Sequence, residues 1–213
     1  MDSNVHLDSA CRKTKIKKGE NTVSLICLIR SDLHREGKGR TFGAFLRKFL
    51  FSPGFQYCVW MRICAFLSSH LLGRVSLYYP ARLILRRCSI KYGIEIPHQT
   101  QIGSGLYIGH WGGIIVHPQA KIGKNCNISQ GVTIGQTNRG ERAGVPVIGD
   151  GVFIGPGAKI LGCIRVGNNV AIGANAVVTR DVPENAVVAG IPARILSLSG
   201  STGYVEHIDY PKC

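Results

Sequence analysis

Acidic residues are scarce in this chain. Only 12 Asp and Glu stand against 26 Lys and Arg over 213 residues, a formal net charge of +14. The shortage is uneven: residues 1–92 carry 17 basic against 5 acidic residues, and residues 93–213 carry 9 against 7. An anionic neighbour is therefore expected for the N-terminal part, whether a phosphorylated substrate, a lipid headgroup or nucleic acid; the competing reading is a solvated basic face. Other absences exclude nucleic acid as a partner. No helix-turn-helix or zinc-finger spacing is present, and there is no stacking platform of interleaved aromatics. The run Arg12–Lys18 reads as a disordered basic tail. The eight cysteines form no CxxC pair and no zinc spacing, so no metal is expected. The N-terminus lacks the apolar core of a signal peptide. These absences point to a cytoplasmic protein with reduced thiols, with the inner face of the cell membrane as an alternative place.

What is abundant is a six-residue rhythm. Ile102-Gly103, Ile108-Gly109, Ile122-Gly123, Ile134-Gly135, Ile148-Gly149, Ile154-Gly155, Val166-Gly167 and Ile172-Gly173 fall in phase, and Ile96, Ile114, Ile128, Ile160 and Val178 hold the same phase without the glycine. A period of six is neither the 3.6 of a helix nor the 2 of a strand. It is the period of one side of a three-sided prism, with 18 residues per coil. The second inward position, four residues on, is small or apolar: Leu106, Gly112, Cys126, Val132, Val152, Ala158, Ile164, Val170 and Ala176. The glycines suit tight corners with positive φ. Ile114 to Ile122 is two residues too long, which predicts a small bulge there. Ile134 to Ile148 is eight too long, which predicts a polar loop over 136–147. The fold class is therefore mainly β, a parallel β-helix of hexapeptide repeats with a short N-terminal α-helical region.

Four segments follow. Residues 1–20 read as a disordered basic tail, 21–92 as an α-helical region, 93–196 as the β-helix, and 197–213 as a flexible tail. Within the helical region, 41–52 carries a helical apolar stripe, Ser52-Pro53-Gly54 breaks it, 55–72 is almost wholly apolar, and 75–87 is expected to kink at Pro80. Segment 55–72 has nearly the length of a membrane span, but Arg62 at its centre argues against insertion. Lying on a membrane surface as a peripheral contact, or packing against a neighbouring subunit, fits better.

Only three histidines lie in the prism, His98, His110 and His117, and His110 and His117 are too far apart in phase to share a metal. Glu95 lies 15 residues before His110, which places the two on successive coils at one edge, about 4.8 Å apart vertically. A carboxylate beside an imidazole orients it and steadies its protonated form, which makes a general-base pair; a purely structural pair is the alternative.

Residues 93–114, 128–135, 148–162 and 182–195 together resemble the serine acetyltransferase branch of the left-handed β-helix acyltransferases. The resemblance spans about residues 54–196. It implies that His110 is the general base, supported by Glu95 where the family usually has aspartate. It implies acetyl-CoA as co-substrate, lying between two prisms of a homotrimer, or of a dimer of trimers, against Gly135, Gly155, Pro156, Gly173 and Ala174, with Arg194 meeting a CoA phosphate. Three departures concern the acceptor. Gly109 stands where the family has a serine-binding aspartate, Val145 stands where it has a loop histidine, and Gly39 lies between Lys38 and Arg40 where an acidic contact belongs. The same architecture serves capsule and exopolysaccharide acetyltransferases. The expected acceptor is accordingly a sugar hydroxyl with Trp111 as its aromatic face, and serine is the alternative. A non-catalytic β-helix scaffold is the rival of a different class.

Overall fold

The computed structural model describes residues 24–37, 41–69 and 77–211; the 1–20 tail and Lys38, Gly39 and Arg40 lie outside the described residues. Among the described residues four helices precede the prism: α1 (Leu25–Arg35), α2 (Phe42–Phe51), α3 (Pro53–Ser69) and α4 (Tyr78–Tyr92). Fourteen short strands follow among the described residues, from β1 (Ile94–Glu95) to β14 (Arg194–Ser197). They stack into three parallel sheets: β1-β3-β6-β9-β12, β2-β4-β7-β10, and β5-β8-β11-β13 with β14 added antiparallel. This is a left-handed β-helix of five coils. Its core is the predicted column: Ile96, Ile108, Ile114, Ile134, Ile154, Ile160 and Ile172 are all fully buried, and Cys126 is a small inward residue.

The glycines after each aliphatic residue have a different cause from the one expected. None of them takes positive φ. Instead, the next coil leaves no room for a Cβ: one added at Gly103 would lie 2.7 Å from the backbone of Gly123, and one at Gly167 2.6 Å from that of Glu184. The left-handed turn comes two residues later, at positions such as Gly131 and Gly157. There Asn125, Asn169, Asn175 and Asn185 also appear, because asparagine tolerates this conformation better than other side chains.

The two-residue irregularity also lies elsewhere. Register steps by 20 residues from β1 to β3, Ile94 against Ile114, but by 18 from β3 to β6, Val116 against Ile134. The extra pair therefore falls in the corner 109–113, not between Ile114 and Ile122. Gly112 and Gly113 turn it with φ of 106° and 66°, and Ile114, not Gly112, points inward. The eight extra residues form the predicted loop, a small hairpin closed by mutual Thr137 and Gly144 backbone bonds.

The helices close one end of the prism. In α3, Arg62 is buried, and its guanidinium donates to Asp32 of α1 at 3.1 and 3.3 Å and to the carbonyls of Ile102 and Gly103 at 2.8 and 2.6 Å. Asp32 also accepts from Leu106 N–H at 2.8 Å. Burial pushes the Asp32 carboxyl up, and Arg62 offsets this only in part. Burial works to lower the Arg62 guanidinium, but the charge and hydrogen bond of Asp32, with Cys58 and Tyr210 adding to them, leave it raised. With this many donors converging on the carboxylate, we read the pair as ionised. Tyr57 Oη donates to Ile96 C=O and accepts from Ile96 N–H, both at 3.0 Å. Gly54 lets α3 approach Ile108 closer than any Cβ permits. Pro80 produces no break: it sits in the first turn of α4, where its missing N–H costs nothing. Among the described residues no helix is long and apolar enough to cross a membrane.

Residues 197–211 are not a loose tail. Ser201 is buried and bonds Gly151 C=O at 2.6 Å, the Tyr204 ring stacks on Phe153 at 4.5 Å, and Asn127 donates to Tyr204 C=O at 2.8 Å. Further on, Asp209 meets His34 of α1 at 3.0 Å and Tyr210 Oη reaches Ser104 and Asn125. The segment straps the third sheet to α1. The thiols are not all reduced either: Cys58, Cys64, Cys88 and Cys126 are free and buried, but Cys27 and Cys163 are disulfide-bonded.

Candidate active site

The candidate residues gather along one edge of the prism, where the third sheet turns into the first. Backbone bonds tie its levels together: Gly131 N–H to Gly112 C=O at 2.7 Å, Gly157 N–H to Gln130 C=O at 2.8 Å, and Asn175 N–H to Pro156 C=O at 2.8 Å. His110 and Trp111 sit at the first level, Gly155-Pro156 at the third and Gly173-Ala174 at the fourth. The two-residue insertion swings the first-level corner outward, so His110 and Trp111 are both exposed. Gly155 and Gly173 stack closely, since a Cβ on Gly155 would lie 3.0 Å from Gly173 C. The result is a ledge of small residues running away from an imidazole.

Glu95 faces outward in β1, just past the same corner on the coil below, paired with Ile115. Gly93, two residues before it, packs against Gly112 and Gly113. The two candidate groups thus flank one corner, but among the described residues no hydrogen bond or ion pair joins them. Gly135 stands apart at the far end of β6 against Leu161, and Arg194 is exposed at the start of β14, on the last coil. Among the described residues no cluster of three or more metal-ligating side chains forms.

Sequence reasoning passed over Tyr107 and Gln130. The Tyr107 ring lies against Gly109, where an added Cβ would come 2.9 Å from its hydroxyl. Arg35 sits 5.8 Å over the same ring and bonds Gly105 C=O and Asn127. Burial, with Glu36 nearby, raises the Tyr107 phenol. Gln130 keeps Oε1 buried without a partner among the described residues, beside the ledge. Its place between two corner positions was the available signal. Two sizeable cavities, about 520 Å³ between α1 and Pro211 and about 590 Å³ around Asn169 and Gly200, are lined by other residues. A shallow ledge with nothing opposite it among the described residues does not form a cavity, so cavity size does not locate this chemistry.

Comparison with known proteins bears on this edge. Residues 146–180 match the family model "Bacterial transferase hexapeptide (six repeats)". The chain is 38% identical over 148 residues to a serine acetyltransferase of Synechococcus elongatus, covering 70% of this chain and 59% of that protein. A serine acetyltransferase of Brucella abortus in complex with coenzyme A superposes with a TM-score of 0.67 at 34% identity, over 81% of this chain and 68% of that one. The Neisseria gonorrhoeae enzyme in complex with serine gives 0.66 at 34% identity, over 81% and 69%. The chain spans about three fifths to two thirds of the length of the curated relatives it matches. These relatives are serine acetyltransferases, and the likeness to capsule and exopolysaccharide enzymes finds no support among them.

Proposed function

Because the chain belongs to the serine acetyltransferase family of hexapeptide-repeat proteins, we propose that it transfers the acetyl group of acetyl-CoA to a hydroxyl oxygen, with serine as the first acceptor to consider. One observation carries this reading: an exposed histidine on an outward-swung corner heads a ledge of glycines and small residues along the same edge. His110, unprotonated, takes the proton as the acceptor oxygen attacks the thioester carbonyl. Glu95 steadies the imidazolium that results. The tetrahedral oxyanion takes backbone N–H donors at the corner, then collapses and expels the CoA thiolate, whose parent thiol has a pKa of about 8.5. The pantetheine lies against Gly155, Pro156, Gly173 and Ala174, where missing side chains let amides approach, and Arg194 meets a phosphate.

A second acceptor, a sugar hydroxyl, is favoured by one feature. Tyr107 packs where a side chain at position 109 would stand, so the base has aromatic neighbours, Tyr107 and Trp111, and no carboxylate immediately before it in sequence. Measuring thiol release from acetyl-CoA with serine, nucleotide sugars and lipid-linked sugars tests both. Serine turnover with a Michaelis constant between about 1 μM and 1 mM supports the first reading. Saturable turnover on a sugar alone supports the second. No release with any acceptor returns the chain to the scaffold reading, and release without an acceptor is hydrolysis by water, which supports neither acceptor.

A further inference from the structure

Among the described residues the outer faces of α2 and α4 have no partner, and their composition points to what covers them. From residue 37 to residue 94 the sequence contains ten Lys and Arg and not one Asp or Glu. The helix α4 buries Ala81, Leu85 and Cys88 against α3. On its opposite side Tyr79, Leu83 and Ile90 form an apolar line, with Tyr79 and Ile90 70% and 74% exposed. At 100° per residue, Arg82 and Arg86 flank this line on one side and Arg87 and Lys91 on the other, and all four are exposed. The helix α2 repeats the scheme. Phe45 and Phe49 turn inward towards Phe55, while Phe42, Leu46, Leu50 and Phe51 are exposed with Arg47 among them.

We propose that these two faces lie on a membrane surface rich in anionic lipid headgroups. An apolar line bordered by long basic side chains is what an in-plane helix presents to the headgroup boundary, the arginines reaching outward as the apolar residues sink. Pairing with a second copy of the same face fits less well. A two-fold contact sets each patch against itself, and a patch with no acidic residue then meets only its own charge. The inference is independent of the acceptor and of the catalytic assignment.

The test is co-sedimentation of the full chain with vesicles of phosphatidylcholine alone and with about 30% phosphatidylglycerol. We expect binding to the anionic vesicles only, reversed by high salt. Replacing two basic residues on the face, Arg86→Gln with Arg87→Gln, should weaken it roughly 20-fold, since each charge near such a surface strengthens binding about fivefold. The same charge loss on the prism, Lys124→Gln with Arg165→Gln, should leave it unchanged. Leu83→Ser with Ile90→Ser should weaken binding without altering charge. Three results overturn the proposal: no binding to anionic vesicles at low salt, equal losses from the prism pair, or a halved particle mass for Leu83→Ser with Ile90→Ser, which makes the face a contact between copies. Should the serine pair fail to fold, the two charge-removing pairs, all on exposed positions, decide alone.

Discussion

His110 and Glu95 flank one corner with no hydrogen bond or ion pair between them among the described residues, so their partnership is an expectation about the working enzyme. His110→Ala should lower turnover by about 10²–10⁴, the usual worth of general-base help, with acetyl-CoA binding kept. Glu95→Gln should cost less, because it leaves the base in place. Steady-state assays with calorimetric CoA titration separate the two; normal turnover in His110→Ala together with its loss in His117→Ala would move the base to His117. His98 has a different role. It is buried, bonded to Tyr78 Oη at 3.2 Å, and burial followed by Arg82 lowers its pKa from 6.5. Below about pH 6.5 the unfolded chain takes up a proton that the folded chain refuses, so stability should fall with pH from there towards the lower folded value. Melting curves across pH 7 to 5 should show this loss, and His98→Gln should flatten it.

The helix-to-prism joint rests on Arg62. Its guanidinium serves Asp32, Ile102 and Gly103 together, and Asp32 serves Leu106. Arg62→Met strands a buried carboxylate and two carbonyls, and should cost about 3–5 kcal/mol. Asp32→Leu should cost a similar amount by stranding the cation. The double variant should lose less than the two singles summed, yet still about 1–3 kcal/mol, because Ile102, Gly103 and Leu106 keep unmet backbone groups. Denaturant midpoints give the cycle; strict additivity would show that the pair is not coupled. The central arginine of 55–72 was readable as an argument against a membrane span. Its partners were not, because Asp32 is 30 residues away and the carbonyls belong to a different element.

Across the whole molecule, the third sheet is strapped by residues 199–210 and its last strand is paired with β14, so that face is occupied within the chain. Among the described residues the first and second sheets, and the edge bearing His110, have no such cover. We expect a homotrimer in which each candidate edge meets a neighbouring prism and gains the second wall that the ledge lacks. Light scattering should report about three times the 23.1 kDa chain mass, or six times if two trimers pair. An active species of single-chain mass would refute it.

The hexapeptide rhythm was enough to specify the prism, its three inward columns, the protruding loop and the shared edge of His110 and Glu95. A stacked repeat has nearly the same contacts at every level, so local spacing carries the long-range register. What depended on contacts between distant residues could not be read this way. The spacing of Ile114 and Ile122 located the two-residue insertion one corner too late, because two aliphatic residues in β3 both point inward and only pairing with β6 distinguishes them. The glycines were assigned to left-handed turns, but a neighbouring coil's backbone dictates most of them, and that neighbour is 16 to 26 residues away. The C-terminal segment, polar and weakly patterned, looked unstructured; its order comes from Phe153, Asn127, Asn125 and His34, surfaces that exist together only once the prism and α1 have assembled.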